Sequence, residues 1–150
     1  MTTLNRRASE IIVSGRSGQP FAVHALTDIT GFGLIGHARE MALGSNVSLR
    51  VSASRVPLLA GALDCAGSGF LPGGLKANRE FADCIVTWEP GITEELQALL
   101  FDPQTAGGLL ISVAGEQAAA LVENLRAAGV PAVQVGSVLQ EEKPRITVTP

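Results

Sequence analysis

The last third of the chain alternates short apolar runs with one amphipathic helix, and this spacing limits the possible folds most. Leu109–Val113 is an apolar run of strand length, interrupted only by Ser112. Residues 116–128 place apolar side chains three and four positions apart and stop before Gly129, as a capped helix does. Residues 132–138 and 145–148 are then predicted strands. A strand, a helix and a strand at this spacing predict a right-handed crossover unit.

The first two thirds of the chain predict further short elements. Predicted helices cover residues 3–14, 32–43, 57–66 and 94–99, the last capped by Thr93. Gly15 and Gly44 are expected to end the first two, and Pro57 to open the third. Predicted strands cover residues 21–25 and 47–51. A glycine-rich loop is predicted over residues 67–74, and residues 80–88 are predicted to form a short element followed by a strand. With no repeat or linker, the sequence predicts a single two-layer α/β (α+β) domain with helices packed on a mixed β-sheet.

Composition and charge exclude several classes of function. The net charge is −3, and the basic residues lie in two small groups, Arg6-Arg7 and Lys76/Arg79, so no nucleic-acid partner is expected. No apolar run approaches the roughly 18 residues that span a bilayer. The first ten residues lack the pattern of a signal peptide. We therefore expect a cytoplasmic protein without a membrane partner.

The two cysteines, Cys65 and Cys84, lie in no Cys-x-x-Cys or Cys/His spacing. We predict two buried, reduced thiols, because isolated cysteines in a cytoplasmic chain are more often core residues than metal ligands or disulfide partners.

A first glycine-rich segment, residues 27–33, lies between a predicted strand and a predicted helix. Gly31 and Gly33 permit unusual backbone angles and a close approach of a bound group. The helix that follows offers N–H groups and a positive dipole end to an anion. Asp28 has the hard-oxygen carboxylate that magnesium prefers, with the hydroxyls of Thr27 and Thr30 nearby in the sequence. The segment predicts a metal-bridged phosphate site; the alternative is that Asp28 or Thr30 only caps the helix.

A second glycine-rich segment, residues 101–108, runs into the strand at Leu109. Gln104 and Thr105 could bind a ligand there or satisfy the loop backbone. His24 and His37 flank the first segment, and the residues leave their roles open. The sequence offers no Ser/His/Asp set, no usefully spaced pair of carboxylates and no zinc-ligand cluster, so we predict no catalytic residue.

Three segments of the chain together resemble one family. Residues 24–42, HALTDITGFGLIGHAREMA, are similar to the signature of the selenophosphate synthetases, also called selenide, water dikinases. Residues 71–74, LPGG, with Asn78, and residues 102–110, DPQTAGGLL, resemble two further segments of that family in the same order. Residues 4–9, LNRRAS, resemble the helix before the signature. The resemblance favours a magnesium ligand over a helix cap for Asp28.

The resemblance also implies a reaction. The family converts ATP, selenide and water to selenophosphate, AMP and phosphate, and requires Mg2+. Its fold resembles that of the aminoimidazole ribonucleotide (AIR) synthetase superfamily, in which an N-terminal half dimerises and binds most of the nucleotide. Residues 1–150 match only the C-terminal half. The implied partners are the N-terminal half of the same enzyme and a second copy in a homodimer.

The departures from the family pattern have consequences of their own. The N-terminal segment with the reactive cysteine or selenocysteine is not in this sequence, nor are the other metal-binding aspartates, so neither Cys65 nor Cys84 is a nucleophile candidate. Ala106 stands where the family often has serine. We predict that the 150-residue chain alone has no dikinase activity. Two alternatives are another ATP-dependent enzyme of the superfamily, such as a hydrogenase-maturation protein or a thiamine-phosphate kinase, and a non-enzymatic interaction domain.

Overall fold

The computed structural model describes residues 4–15, 18–104 and 107–150. Within these ranges the chain forms six α-helices and six β-strands, joined by loops and three short 3-10 turns. The helices are α1 Arg6–Ser14, α2 Gly33–Ser45, α3 Ala62–Gly67, α4 Gly74–Ala82, α5 Glu94–Leu100 and α6 Ala118–Ala127. The strands are β1 Val23–Asp28, β2 Ser48–Ser52, β3 Val86–Trp88, β4 Leu109–Val113, β5 Gly136–Leu139 and β6 Ile146–Thr149.

The described strands form two sheets. The larger has the order β3-β6-β2-β5, in which β6 is parallel to both β3 and β2, and β5 is antiparallel to β2. The smaller is an antiparallel pair of β1 and β4, with Asp28 opposite Leu109. The predicted class, helices packed with a mixed β-sheet, is confirmed. The predicted crossover unit is wrong, because β4 and β5 lie in different sheets.

Two apolar clusters hold these layers together. In the first, α2, α4 and α5 cover one face of the four-stranded sheet, and Ile35, Phe101, Ile146 and Val148 are fully buried. In the second, α1 and α6 pack on the β1–β4 pair through Ile12, Leu121 and other apolar side chains. Strand β4 contributes to both clusters, which explains why four of its five residues are apolar, the exception being Ser112: a strand that is covered on both faces favours apolar side chains on each of them.

Several predicted boundaries are confirmed and others are wrong. The strand at Leu109–Val113 and the helix capped by Thr93 are found as predicted. Helix α2 runs through Gly44 and ends at Asn46, which adopts the left-handed conformation with a φ of 51°. Residues 57–61 are not helical, and α3 begins only after Gly61, whose φ is 79°. The first strand begins and ends later than residues 21–25, and β5 begins only at Gly136.

Both cysteine thiols are free and exposed, so the predicted burial of Cys65 and Cys84 is wrong. Cys65 lies on the short helix α3, which buries only Ala66 of its six residues. The Cys65 thiol on this helix faces water. In the described ranges no helix combines the length and the apolar character needed to cross a membrane.

The start of α5 supplies a small, local test of the fold. The hydroxyl of Thr93 accepts a hydrogen bond from the backbone N–H of Leu96 at 3.3 Å. We expect Thr93→Ala to lower the free energy of unfolding by about 1 kcal/mol, since it leaves that N–H group without its cap. Urea unfolding measures the change. Thr93→Ser, which keeps the hydroxyl, is the control and should stay close to the original chain; equal losses in both variants would contradict the capping role.

Candidate functional site

The two glycine-rich segments lie side by side in the structure. Beyond the end of β1, the N–H of Ile29 donates to the carbonyl oxygen of Gly108 at 2.9 Å, and the N–H of Gly107 donates to the carbonyl oxygen of Ile29 at 2.8 Å. The side chain of Ile29 is buried, and a Cβ on Gly107 would come within 3.0 Å of it. This close contact continues the pairing of β1 with β4 into the loops, so both segments contribute to one surface.

Asp28 is exposed at the end of β1. Among the described residues its carboxylate makes no hydrogen bond or ion pair, so it is open to an external cation. Thr27 lies on the other face of the strand, because successive side chains of β1 alternate between half-buried and exposed. Its hydroxyl donates to the backbone carbonyl of Asp28 at 3.2 Å. The structure therefore does not bring the side chains of Thr27 and Asp28 to the same surface.

The backbone of Thr30 forms hydrogen bonds through both its carbonyl oxygen and its N–H group. Its carbonyl oxygen accepts hydrogen bonds from the N–H groups of Gly33 and Gln104, both at 3.0 Å. Its own N–H donates to Nε2 of His37 at 3.0 Å, and its hydroxyl lies 3.1 Å from the same nitrogen. A nitrogen that accepts from a backbone N–H carries no proton, so the hydroxyl also donates to it. His37 is thus a structural part of the loop, whereas His24 is exposed on β1.

The start of α2 distinguishes the two glycines of the first segment. Phe32 is the N-cap residue, and no side chain in the described ranges caps the helix, so neither Asp28 nor Thr30 has the capping role that was the alternative. Gly33 has a φ of 69°, and a Cβ there would lie 2.7 Å from the carbonyl carbon of Phe101. Gly31 is exposed, with no atom within 4 Å of the position of a Cβ. The close approach at Gly33 is to the chain itself, whereas Gly31 is open to a ligand.

Asn78, on α4, joins the two segments. Its side chain is buried, with only 7% of its surface exposed. The amide nitrogen donates to the carbonyl oxygen of Gly31 at 2.8 Å and to that of Phe101 at 3.0 Å. Sequence reasoning found Asn78 only within a segment of family resemblance and predicted no role for it, because the pattern does not reveal its two partners.

The second segment begins with a partly buried carboxylate. The side-chain amide of Gln104 donates to the carboxylate of Asp102. Burial raises the pKa of Asp102 above its ordinary value, and the hydrogen bond from Gln104 opposes that shift. Gln104 therefore acts on its own loop, through Asp102 and through its N–H to Thr30. Thr105, whose role the sequence left open, and Ala106 lie outside the described residues.

Stacked aromatic rings join the start of α2 to α4. The rings of Phe32 and Phe81 are stacked, with centroids 5.4 Å apart, and the guanidinium of Arg39 lies 4.1 Å from the centroid of Phe81. Phe32 also contacts the ring of His37, at 5.5 Å between centroids. These contacts hold α4, and with it Asn78, against the start of α2.

The described residues contain no group of three or more His, Cys, Asp or Glu side chains close enough to hold a metal ion. Magnesium usually takes one or two carboxylates and completes its six ligands with water and substrate phosphates. Asp28 is a single exposed carboxylate, which alone supplies at most two of those six oxygen ligands.

The fold and the two paired segments define a known class of protein domain. Residues 6–149 match the family described as AIR synthase related protein, C-terminal domain, and the chain belongs to that family. A solved structure of thiamine-monophosphate kinase from Stenotrophomonas maltophilia K279a superposes on 84% of this chain and 31% of its own, with a TM-score of 0.52. At 18% sequence identity this similarity shows the fold alone.

Sequence similarity to curated proteins is more specific. The chain is 45% identical over 149 residues to "Selenide, water dikinase" of Pelobacter propionicus, covering 99% of this chain. It is 41% identical over 149 residues to "Selenide, water dikinase 2" of Peptoclostridium acidaminophilum. The chain spans 41% of the length of each of these relatives. The resemblance to selenophosphate synthetases is confirmed, and it applies to the C-terminal part of those proteins.

Proposed function

We propose that this chain is the C-terminal domain of a selenophosphate synthetase and contributes one magnesium ligand, Asp28, to the site where ATP is used. The observation that carries the proposal is the exposed carboxylate of Asp28, within a segment that matches the family signature. The full reaction would convert ATP, selenide and water to selenophosphate, AMP and phosphate. The rest of the enzyme would supply the N-terminal half that binds most of the nucleotide, and a second copy would form the homodimer.

The residues around Asp28 fit a magnesium ion bound to phosphates. The carboxylate is a hard oxygen ligand, and the described residues leave it without a competing cation. The hydroxyl oxygen of Thr30 has lone pairs beyond its contact with His37. Bound magnesium would neutralise negative charge on the phosphate groups during transfer. Asp28 would hold the ion, and the oxygen of Thr30 suits the ion or its water better than a phosphate oxygen.

Of the other loop residues predicted to bind the nucleotide, one is proposed to contact it directly and two to act through the structure of the loop. Gly31 is proposed to face the phosphates directly, since its surroundings are open. Gly33 is proposed to act through the loop, because it lets the chain pass close to Phe101. Thr27 is proposed to support the strand end through its bond to the Asp28 carbonyl. The isolated chain is proposed to be inactive, since the family resemblance assigns most of the nucleotide-binding residues and the other metal-binding aspartates to the N-terminal half.

Replacing Asp28 tests this function. We suggest a hybrid in which this chain replaces the matching part of the Pelobacter propionicus enzyme, to which it is 45% identical. Asp28→Asn should weaken Mg2+-dependent ATP binding by at least about tenfold, or roughly 1.4 kcal/mol, because an amide lacks the negative charge that attracts the ion. Calorimetry measures binding, and AMP release in the presence of selenide measures the reaction.

Asp64→Asn is the matched control, because Asp64 is an exposed carboxylate on α3, outside both glycine-rich segments. It should bind ATP as the unchanged hybrid does. Equal affinity for Asp28→Asn and the unchanged hybrid would reject the magnesium role. ATP binding by the hybrid without AMP formation from selenide would favour another enzyme of the superfamily, and no binding at all would favour an interaction domain.

A further inference from the structure

The orientation of the loop that follows Asp28 depends on three carbonyl groups. Those of Ile29 and Thr30 accept hydrogen bonds from backbone N–H groups, in residues 33, 104 and 107. The carbonyl of Gly31 accepts from the side chain of Asn78. Asn78 thus donates to this loop's backbone from α4, far away in the sequence, whereas Thr27, which donates to the carbonyl of Asp28, is a chain neighbour.

The two hydrogens of one amide nitrogen serve both glycine-rich segments. One is donated to Gly31 in the first segment and the other to Phe101 at the start of the second. Because both partners are carbonyl oxygens, the nitrogen of the amide and not its oxygen must face them. The C=O and N–H of a trans peptide unit point in opposite directions, so holding the Gly31 carbonyl turns the N–H of Phe32 away from α4.

We propose that Asn78 is a positioning residue: it fixes the loop of residues 28–33 against residues 101–104, so that Asp28 and Gly31 face the ligand together. This inference rests on the proposed function of Asp28. Asn78 itself is buried under the loop and does not touch the ligand. Its effect on binding passes through the Gly31 carbonyl.

The chemistry of the site explains why an asparagine is needed. Alanine would remove the donor to both carbonyl oxygens, at a partly buried site for Gly31 and at a buried one for Phe101. Aspartate has nearly the same size and shape, but it would set carboxylate oxygens against both carbonyl oxygens, where attraction becomes repulsion. Both variants remove the donors, whereas only alanine removes side-chain volume and only aspartate adds a negative charge. An effect that the two variants share therefore belongs to the lost hydrogen bonds.

The first measurement is amide hydrogen exchange in the 150-residue chain itself. Asn78→Asp and Asn78→Ala should each speed exchange of the Gly33 and Gln104 amides, which donate to Thr30, by at least about tenfold relative to a stability-matched control. Leu121→Ala is that control, since Leu121 is buried in the other apolar cluster. The amide of Glu89, bonded to Val148 beside β6, is the internal reference. Equal acceleration of all these amides would overturn the proposal.

The second measurement is one that a purely structural role would not change. In the hybrid enzyme, at a temperature where every variant is fully folded, Asn78→Asp should weaken Mg2+–ATP binding by at least about fivefold, while Leu121→Ala should not change it. Unchanged binding for Asn78→Asp, together with weakened binding for Asp28→Asn, would reject the positioning role alone. Unchanged binding for Asp28→Asn would reject the proposed function, and the exchange rates would then still decide whether Asn78 orders the loop.

Discussion

Replacement of Phe101 by alanine is expected to lower the free energy of unfolding by about 3–5 kcal/mol. The side chain is fully buried at the end of α5 and meets the ring of Trp88 edge-on, at 5.8 Å between centroids. Alanine would remove the buried ring and leave a cavity that the surrounding helices and sheet fill only in part. Since a domain of this kind is stable by only about 5–15 kcal/mol, the loss would be a large fraction of the total.

Urea unfolding followed by tryptophan fluorescence measures this change, since Trp88 lies against the substituted ring. Phe70→Ala is the matched control. The Phe70 side chain is 76% exposed, so its removal should change stability by no more than about 0.5 kcal/mol. Equal losses for both variants would mean that Phe101 is not at the centre of the larger cluster.

The second large effect is expected for Gly33→Ala. Its Cβ would lie 2.7 Å from the carbonyl carbon of Phe101 and 2.8 Å from the carbonyl oxygen, and both belong to a backbone that cannot rotate away. Overpacking of this kind costs about 1–3 kcal/mol. The left-handed φ of 69° adds about 1–2 kcal/mol for a residue with a side chain. We expect a loss of about 2–5 kcal/mol, measured by urea unfolding.

Gly31→Ala is the control, because it makes the same chemical change two residues earlier. Nothing lies within 4 Å of its Cβ position, and its φ is outside the left-handed region. Its unfolding free energy should stay within about 0.5 kcal/mol of the original. If Gly31→Ala were as destabilising as Gly33→Ala, the close approach at Gly33 would not explain the need for glycine there.

The sequence predicted the elements whose signals are local. The Thr93 cap is a bond between residues three positions apart, and the apolar run from Leu109 to Val113 reflects a strand covered on both faces. The loop with Asp28 was recognised from its glycines and its family signature. Helix ends were harder to predict at glycines, because a glycine can end a helix or lie within it. Gly44 was expected to end α2, but the helix continues through it and Asn46 caps its end.

The pairing of the strands could not be predicted from local signals. Strand β4 was expected to share a sheet with the strand after α6, but it pairs with β1, more than 80 residues earlier in the chain. The choice depends on which apolar faces are covered, and only the packed structure decides it. The exposure of Cys65 and Cys84 could not be predicted for the same reason. The sequence around them does not show whether a second layer of structure covers these positions.

The sequence by itself determined that Asp28 comes just before a glycine-rich turn into a helix, in a segment of the selenophosphate synthetase type. Only the tertiary structure decided how that loop is held: His37 accepts from Thr30, and Asn78 donates to Gly31 and to Phe101. Asn78 is 47 residues from Gly31 and 23 from Phe101. A hydrogen bond depends on distance and direction in space, and a contact over such separations leaves no periodic pattern in the sequence.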